Sequence, residues 1–265
     1  MRTAVWMWTI ATVLTLVFAV WQRVSGPTYP IHGRGELPGH SFAYTLERTH
    51  AGAGDAVVRI FTGPDLGVTG TLEWREHEPV GPWIAVPMQN ESGTPTLRAM
   101  IPHHPAPSKV DYRVTLRGGA SSVELPPSGP ATLRFRNDVP AWVLVPHILV
   151  MMGALLLAVR VALECLRPSP ELRILTLRTL VATFVGGFPL GMLVSGYAFG
   201  QPWGGFPIGN DATDNKTLIA FLGWLVAAIV TMRATESRRA RPVVLAAALL
   251  MLAVYLIPHS FTTGR

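Results

Sequence analysis

The chain has 265 residues, 49% of them hydrophobic and 14% charged, with a formal net charge of +6. So low a charged fraction excludes an ordinary soluble or disordered protein and fits a chain partly dissolved in lipid. The positive balance does not mark a nucleic-acid binder, because no basic stripe with interleaved aromatics occurs.

Uncharged apolar runs cover Thr3 to Trp21, Val139 to Val159, Thr179 to Phe199, Thr217 to Met232 and Pro242 to Pro258. A helix needs about 20 residues to cross a bilayer core of about 30 Å. The fourth run reaches that length with Lys216 and Arg233 as snorkelling ends. Five transmembrane helices are therefore predicted. The first run is read as an uncleaved anchor over residues 1–22, because its exit, F-A-V-W-Q-R-V-S-G, lacks a small-x-small cleavage site.

Between this anchor and the second run lies a segment with strand grammar. Stretches rich in β-branched and aromatic residues recur at Ser41 to Leu46, Ala56 to Thr62, Thr69 to Trp74, Trp83 to Met88, Thr96 to Ile101, Val110 to Leu116, Ser122 to Leu125 and Ala131 to Phe135. Turn residues separate them, as in Ala-Gly-Ala-Gly-Asp55 and Pro126-Pro-Ser-Gly-Pro130. That spacing predicts a β-sandwich over residues 28–138. The approach Pro105-Ala-Pro-Ser-Lys-Val-Asp-Tyr112 resembles that to the penultimate strand of immunoglobulin-like domains, with Tyr112 as the corner tyrosine. His103-His104 and Glu76-His-Glu78 read as solvated turns, since neighbouring side chains point apart and neither has a complete set of metal ligands. Cys165, the single cysteine, leaves the sandwich without a disulfide and reads as a small apolar filler.

Arginines set the orientation. Arg160, Arg167, Arg173 and Arg178 surround the second-to-third connection, and Arg233, Arg238, Arg239 and Arg241 fill the fourth-to-fifth. The positive-inside rule puts these connections and the amino terminus in the cytoplasm, with the sandwich and the loop over residues 199–216 outside. All basic residues but Lys109 and Lys216 are arginine, a bias expected of a bacterium with a guanine- and cytosine-rich genome, so the outside is a periplasm. The fold class is thus an α+β membrane protein: anchor helix, external immunoglobulin-like sandwich, and a four-helix transmembrane bundle over residues 139–265.

In the third run Gly187, Gly191 and Ser195 repeat at helical spacing, which predicts a central, closely packed helix, kinked at Pro189. His147 lies about 12 Å below the external edge if its helix starts at Val139. His259 sits at the external end of the last run. Intramembrane ionisable residues mark functional sites. The external loop, W-G-G-F-P-I-G-N-D-A-T-D-N-K-T from Trp203 to Thr217, adds glycines, two acids and a lysine. A helix cap by Asp211, Thr213 or Asp214 explains one acid. The fuller reading is a re-entrant lid in which Trp203 dips to the interface while Asp211, Thr213, Asp214, Asn215 and Lys216 converge with His147 and His259 on one ligand pocket.

The segments around His147 and the Gly-x-Asp-x-Thr-Asp-Asn-Lys-Thr217 element resemble a group of uncharacterised bacterial integral membrane proteins with an amino-terminal external sandwich. The resemblance implies architecture and weights Asp211 to Lys216 as a unit; it implies no activity. Three functional classes follow. The first is a non-catalytic envelope protein, a subunit or assembly factor of a membrane complex, with membrane lipid and an envelope protein as partners. The second holds haem, a metal or a quinone through His147 and His259. The third is a small-solute or ion transporter, which the lack of an internal repeat disfavours. No nucleophile elbow, metalloprotease helix or phosphate-binding glycine loop supports an enzyme.

Overall fold

A computed structural model describes residues 2–63, 67–234 and 237–256. The chain divides into two compact units, Thr28–Asp138 and the remainder, Met1–Pro27 with Val139–Arg265.

The first unit is built of strands. In chain order they are β1 (Ile31–Leu37), β2 (His40–Leu46), β3 (Thr49–Ala51), β4 (Ala56–Phe61), β5 (Val68–Glu76), β6 (Ile84–Pro87), β7 (Gln89–Asn90), β8 (Thr96–Ile101), β9 (Ser108–Gly118), β10 (Ser121–Leu125) and β11 (Ala131–Arg136). They form one sheet in the order β1-β2-β4-β8-β7 and a second in the order β3-β11-β9-β5-β6, with β10 as a hairpin on β9. Alternation decides what is inside. Val110, Tyr112, Val114 and Leu116 of β9 and Leu72 and Trp74 of β5 join Leu46, Ile60, Leu97 and Ile101 of the other sheet in one apolar cluster.

Three strands escaped the sequence pattern. β3 and β7 are too short to show a period. In β1 the glycines hide the signal: Gly33 pairs with Tyr44 and Gly35 with Phe42, and the aromatic ring of each partner lies where a Cβ would stand. Tyr112 is buried as expected, but its hydroxyl donates to the Glu47 carbonyl, 2.6 Å away and far upstream, so it ties β9 to the end of β2 instead of closing a local corner. In the histidine turns Glu76, Glu78 and His103 are exposed as expected, while His77 and His104 are half-buried. His77 donates from Nδ1 to Asp111 at 2.8 Å, and the rings of His103 and His104 pack on Phe135.

Helices make up the second unit: α1 (Arg2–Ser25), α2 (Ala141–Glu164), α3 (Leu172–Val185), a π segment (Gly186–Leu190), α4 (Gly191–Phe199), α5 (Ala212–Arg233) and α6 (Ser237–Leu256). With α3, the π segment and α4 taken as one span, the described residues hold five helices long and apolar enough to cross a membrane. Large apolar side chains such as Leu16, Leu149, Val181, Val226 and Leu249 stand exposed along them, as lipid-facing positions do.

The buried seam is made of small residues, but not those of the third span alone. Ala154 and Ala158 of α2, Ala220 and Ala227 of α5, and Ala247 and Ala248 of α6 cluster around Trp224. Small side chains let backbones approach and gain dispersion contacts that lipid cannot match. In the third span Gly187 meets Thr217 of α5 and Gly191 faces the ring of His147 of α2, while the half-buried Ser195 bonds the Gln201 carbonyl. The predicted stripe therefore serves two neighbours and a loop rather than one seam.

Candidate functional site

Pro189 has no N–H to give to a helix, and the third span widens around it into the π segment. Within that segment the Gly186 carbonyl accepts from Nδ1 of His147 at 3.0 Å. A carbonyl only accepts, so Nδ1 carries the hydrogen and the neutral ring keeps its lone pair at Nε2. Because α2 begins at Ala141, His147 lies about 9 Å along its axis, a little shallower than a start at Val139 implied.

A cavity of about 190 Å³ opens beside this ring. Gln22 of α1, His147 of α2, Thr183 of α3 and Thr213 and Lys216 of α5 contribute polar groups to its wall. Tyr255 of α6 also lines it, with its hydroxyl on the Met151 carbonyl at 3.3 Å. The rest is apolar and rich in thioethers, from Met151, Met152 and Met251. Thr183 is fully buried, and its hydroxyl has no partner among the described residues. An unmet buried hydroxyl costs about 1–3 kcal/mol, so such a group on a cavity wall calls for a ligand or a water.

The loop is built differently. Asp211 caps α5, accepting from the amides of Thr213 and Asp214 at 2.8 and 3.0 Å. With that cap the helix starts before Thr217, and Thr213 to Lys216 belong to its first turns rather than to the loop. Asp214 then accepts from the Gly204 amide at 2.6 Å, and Asn215 from the Phe206 amide at 2.7 Å. The loop is pinned down onto the helix start by its own backbone. Gly205 permits this closeness, since a Cβ there would stand 2.7 Å from that of Asp214. Only Gly200, which ends α4 with φ of 72°, uses the left-handed freedom of glycine in this loop. Trp203 is buried, stacked on Phe188 with ring centroids 5.4 Å apart. Phe188 precedes the end of α4 by about 16 Å of helix, so the loop folds back along the third span.

The structure thus brings His147, Thr213 and Lys216 to one cavity, while Asp211, Asp214 and Asn215 at the start of α5 are spent on backbone amides and Trp203 stays in the loop that they hold. The two acids and the asparagine do not line the cavity, because backbone amides already occupy them. His259 lies outside the described residues. Gln22, Met151, Met152, Thr183 and Tyr255 were missed; of these only Thr183 left a trace, as the last member of a Thr176, Thr179, Thr183 stripe at helical spacing. Among the described residues no three His, Cys, Asp or Glu side chains come together as a metal site would need.

At the opposite end of the same helices a buried ionic cluster went unpredicted. Glu164, 1% exposed, meets Nη2 of Arg160 at 2.8 Å and Nη1 of Arg167 at 2.6 Å, and accepts from the Glu171 amide at 3.2 Å. Arg241, at the start of α6, donates to the carbonyl of Arg167 at 2.8 Å. The two arginine-rich connections therefore meet. Cys165 is buried beside them, and burial pushes its thiol up to about 11.

No family model matches the chain, and no curated protein matches its sequence.

Proposed function

We propose that the protein is a non-catalytic component of a bacterial inner membrane, a subunit or assembly factor of a membrane complex. In this reading the strand unit is an immunoglobulin-like sandwich in the periplasm, the spans form a bundle behind an amino-terminal anchor, and the amino terminus is cytoplasmic. The contact of Arg241 with the Arg167 carbonyl supports this orientation, because both arginine-rich connections must then share a side. The resemblance carried by Asp211 to Lys216 fits the same architecture. The observation that carries the functional reading is the use of the loop's polar groups. Asp211, Asp214 and Asn215 hold backbone amides, so they build a rigid wall next to a preformed cavity instead of presenting a base and a nucleophile.

An open groove of about 680 Å³ on the first sheet is assigned to the partner. There β2 and β4 pair only at Ala43 with Phe61 and Tyr44 with Ile60 before diverging. Arg59 is already paired with Glu91 at 3.3 Å, so Arg34, with His32 beside it and Glu47 as the one acid of the lining, is the cation left to receive an acidic, extended segment of another envelope protein. Gentle extraction of the full-length chain from its native membrane tests this: a stoichiometric partner should be retained, and lost in Arg34→Glu. A chain that extracts alone would sink the partner reading. Cysteines at Gly118 and Asn210 should react with an impermeant label from outside, and one at Ser169 should not.

One observation favours a second reading, a ligand-binding membrane protein. A His147 held by its Nδ1 hydrogen is oriented as ligand-binding histidines are, with Nε2 left to offer. A cavity of about 190 Å³ suits a single ring and is far too small for a haem.

A further inference from the structure

We propose that the cavity beside His147 binds the head group of an isoprenoid quinol, a two-oxygen aromatic ring carried on a lipid tail. This rests on the reading of that cavity as a ligand pocket.

Size comes first. A cavity of about 150 Å³ is enough to hold a benzene ring, and this one is about 190 Å³, which leaves room for ring oxygens. Its hydrogen-bonding atoms then choose among ring-sized ligands. Nε2 of His147 accepts, so the ligand must bring a hydrogen. The Thr183 hydroxyl, fully buried and without a partner among the described residues, favours a ligand oxygen as acceptor. A quinol supplies hydroxyls that donate to one group and accept from another.

Charge argues against the obvious competitor. A carboxylate or phosphate head would bring no hydrogen to Nε2, and it would meet one lysine in a helix start that also carries Asp211 and Asp214. A neutral hydroxyl-bearing head escapes both objections. The walls fit the ring as well, since thioethers such as Met151, Met152 and Met251 pack favourably against aromatic edges. The tail has a way out. Ile148 lines the cavity yet is 47% exposed, two turns inside a helix long and apolar enough to span, where the surroundings are lipid.

Titration of the full-length protein in nanodiscs with decylubiquinol, decylubiquinone and decylbenzene tests the assignment. Decylubiquinol should bind saturably at one site per chain. Decylubiquinone, which has no hydrogen for Nε2, should bind about tenfold more weakly. His147→Phe should weaken quinol binding at least tenfold and Thr183→Val several-fold. His147→Gln, whose amide oxygen restores an acceptor, should recover most of the affinity, which separates loss of the bond from loss of the fold. Equal affinity of wild type and His147→Phe, or of decylubiquinol and decylbenzene, would overturn the quinol while leaving a pocket. Binding of none of the three probes would overturn the quinol and the pocket together.

Discussion

The two ends of the membrane helices solve the problem of buried polarity in opposite ways. At the arginine end Glu164 is surrounded by the donors of Arg160, Arg167 and the Glu171 amide, and the connection between α2 and α3 is tied to α6 through Arg241. The charges there neutralise one another as ion pairs, although Nε and Nη1 of Arg160 and Oε2 of Glu164 stay buried without a hydrogen-bond partner. At the loop end the acids are equally committed, to backbone amides, yet the adjoining cavity keeps an acceptor at His147 and an unmet hydroxyl at Thr183. The comparison teaches that polarity alone does not locate a site. The informative feature is an unmet polar group that stands beside a cavity, as Thr183 does.

Substitutions should separate the ends. The largest effect is expected at the closed one. Glu164→Ala leaves Arg160, only 6% exposed, as an uncompensated buried charge, and should destabilise the helical unit by about 3–5 kcal/mol. Unfolding in mixed micelles reads this, and the double change with Arg160→Met should recover most of the loss. Recovery that fails would mean the cluster does more than neutralise itself.

At the loop end Asp214→Ala removes the acceptor of the Gly204 amide and should cost about 1.5–3 kcal/mol. Because the loop then lifts, Trp203, buried in the native protein, should be exposed and its emission should shift to the red. Unchanged emission would show that the loop does not depend on this bond. The strand unit serves as a control outside the comparison. Gly33→Ala places a methyl into the ring of Tyr44 and should cost about 1–3 kcal/mol, lowering the melting of the strand unit and leaving quinol binding intact. Two smaller effects complete the series. His147→Phe loses one hydrogen bond, about 1 kcal/mol, so its stability should barely move while its binding collapses. Cys165, with its thiol raised to about 11 by burial, should stay un-ionised and unlabelled by maleimide at pH 8 until the protein unfolds. Fast native labelling would mean that the closed end opens.

What the sequence revealed and what it concealed divide along physical lines. Apolar length is a local property, so the spans from Val139, Thr179 and Thr217 onward were legible, with ends displaced by a few residues. The displacements have causes: the Asp211 cap lets α5 begin at Ala212, and Arg173 and Arg178 stay exposed on the first turns of α3. Period-two strands such as β8 were readable, whereas β1 was not, because its glycines are explained only by the rings of Tyr44 and Phe42 across the ladder. His147 and Lys216 could be picked out as ionisable groups near lipid. Thr183, Met151 and Tyr255 could not, since their place on one cavity depends on how five helices pack. The role of Asp214 and Asn215 was hidden for the same reason: only the folded loop shows which amides they hold.

The most direct test of the account is the lipid content of the cavity itself. Full-length protein purified gently from its native membrane should carry close to one isoprenoid quinone or quinol per chain by mass spectrometry of its extracted lipids, and His147→Phe purified in parallel should carry almost none. Equal trace amounts in both would contradict it.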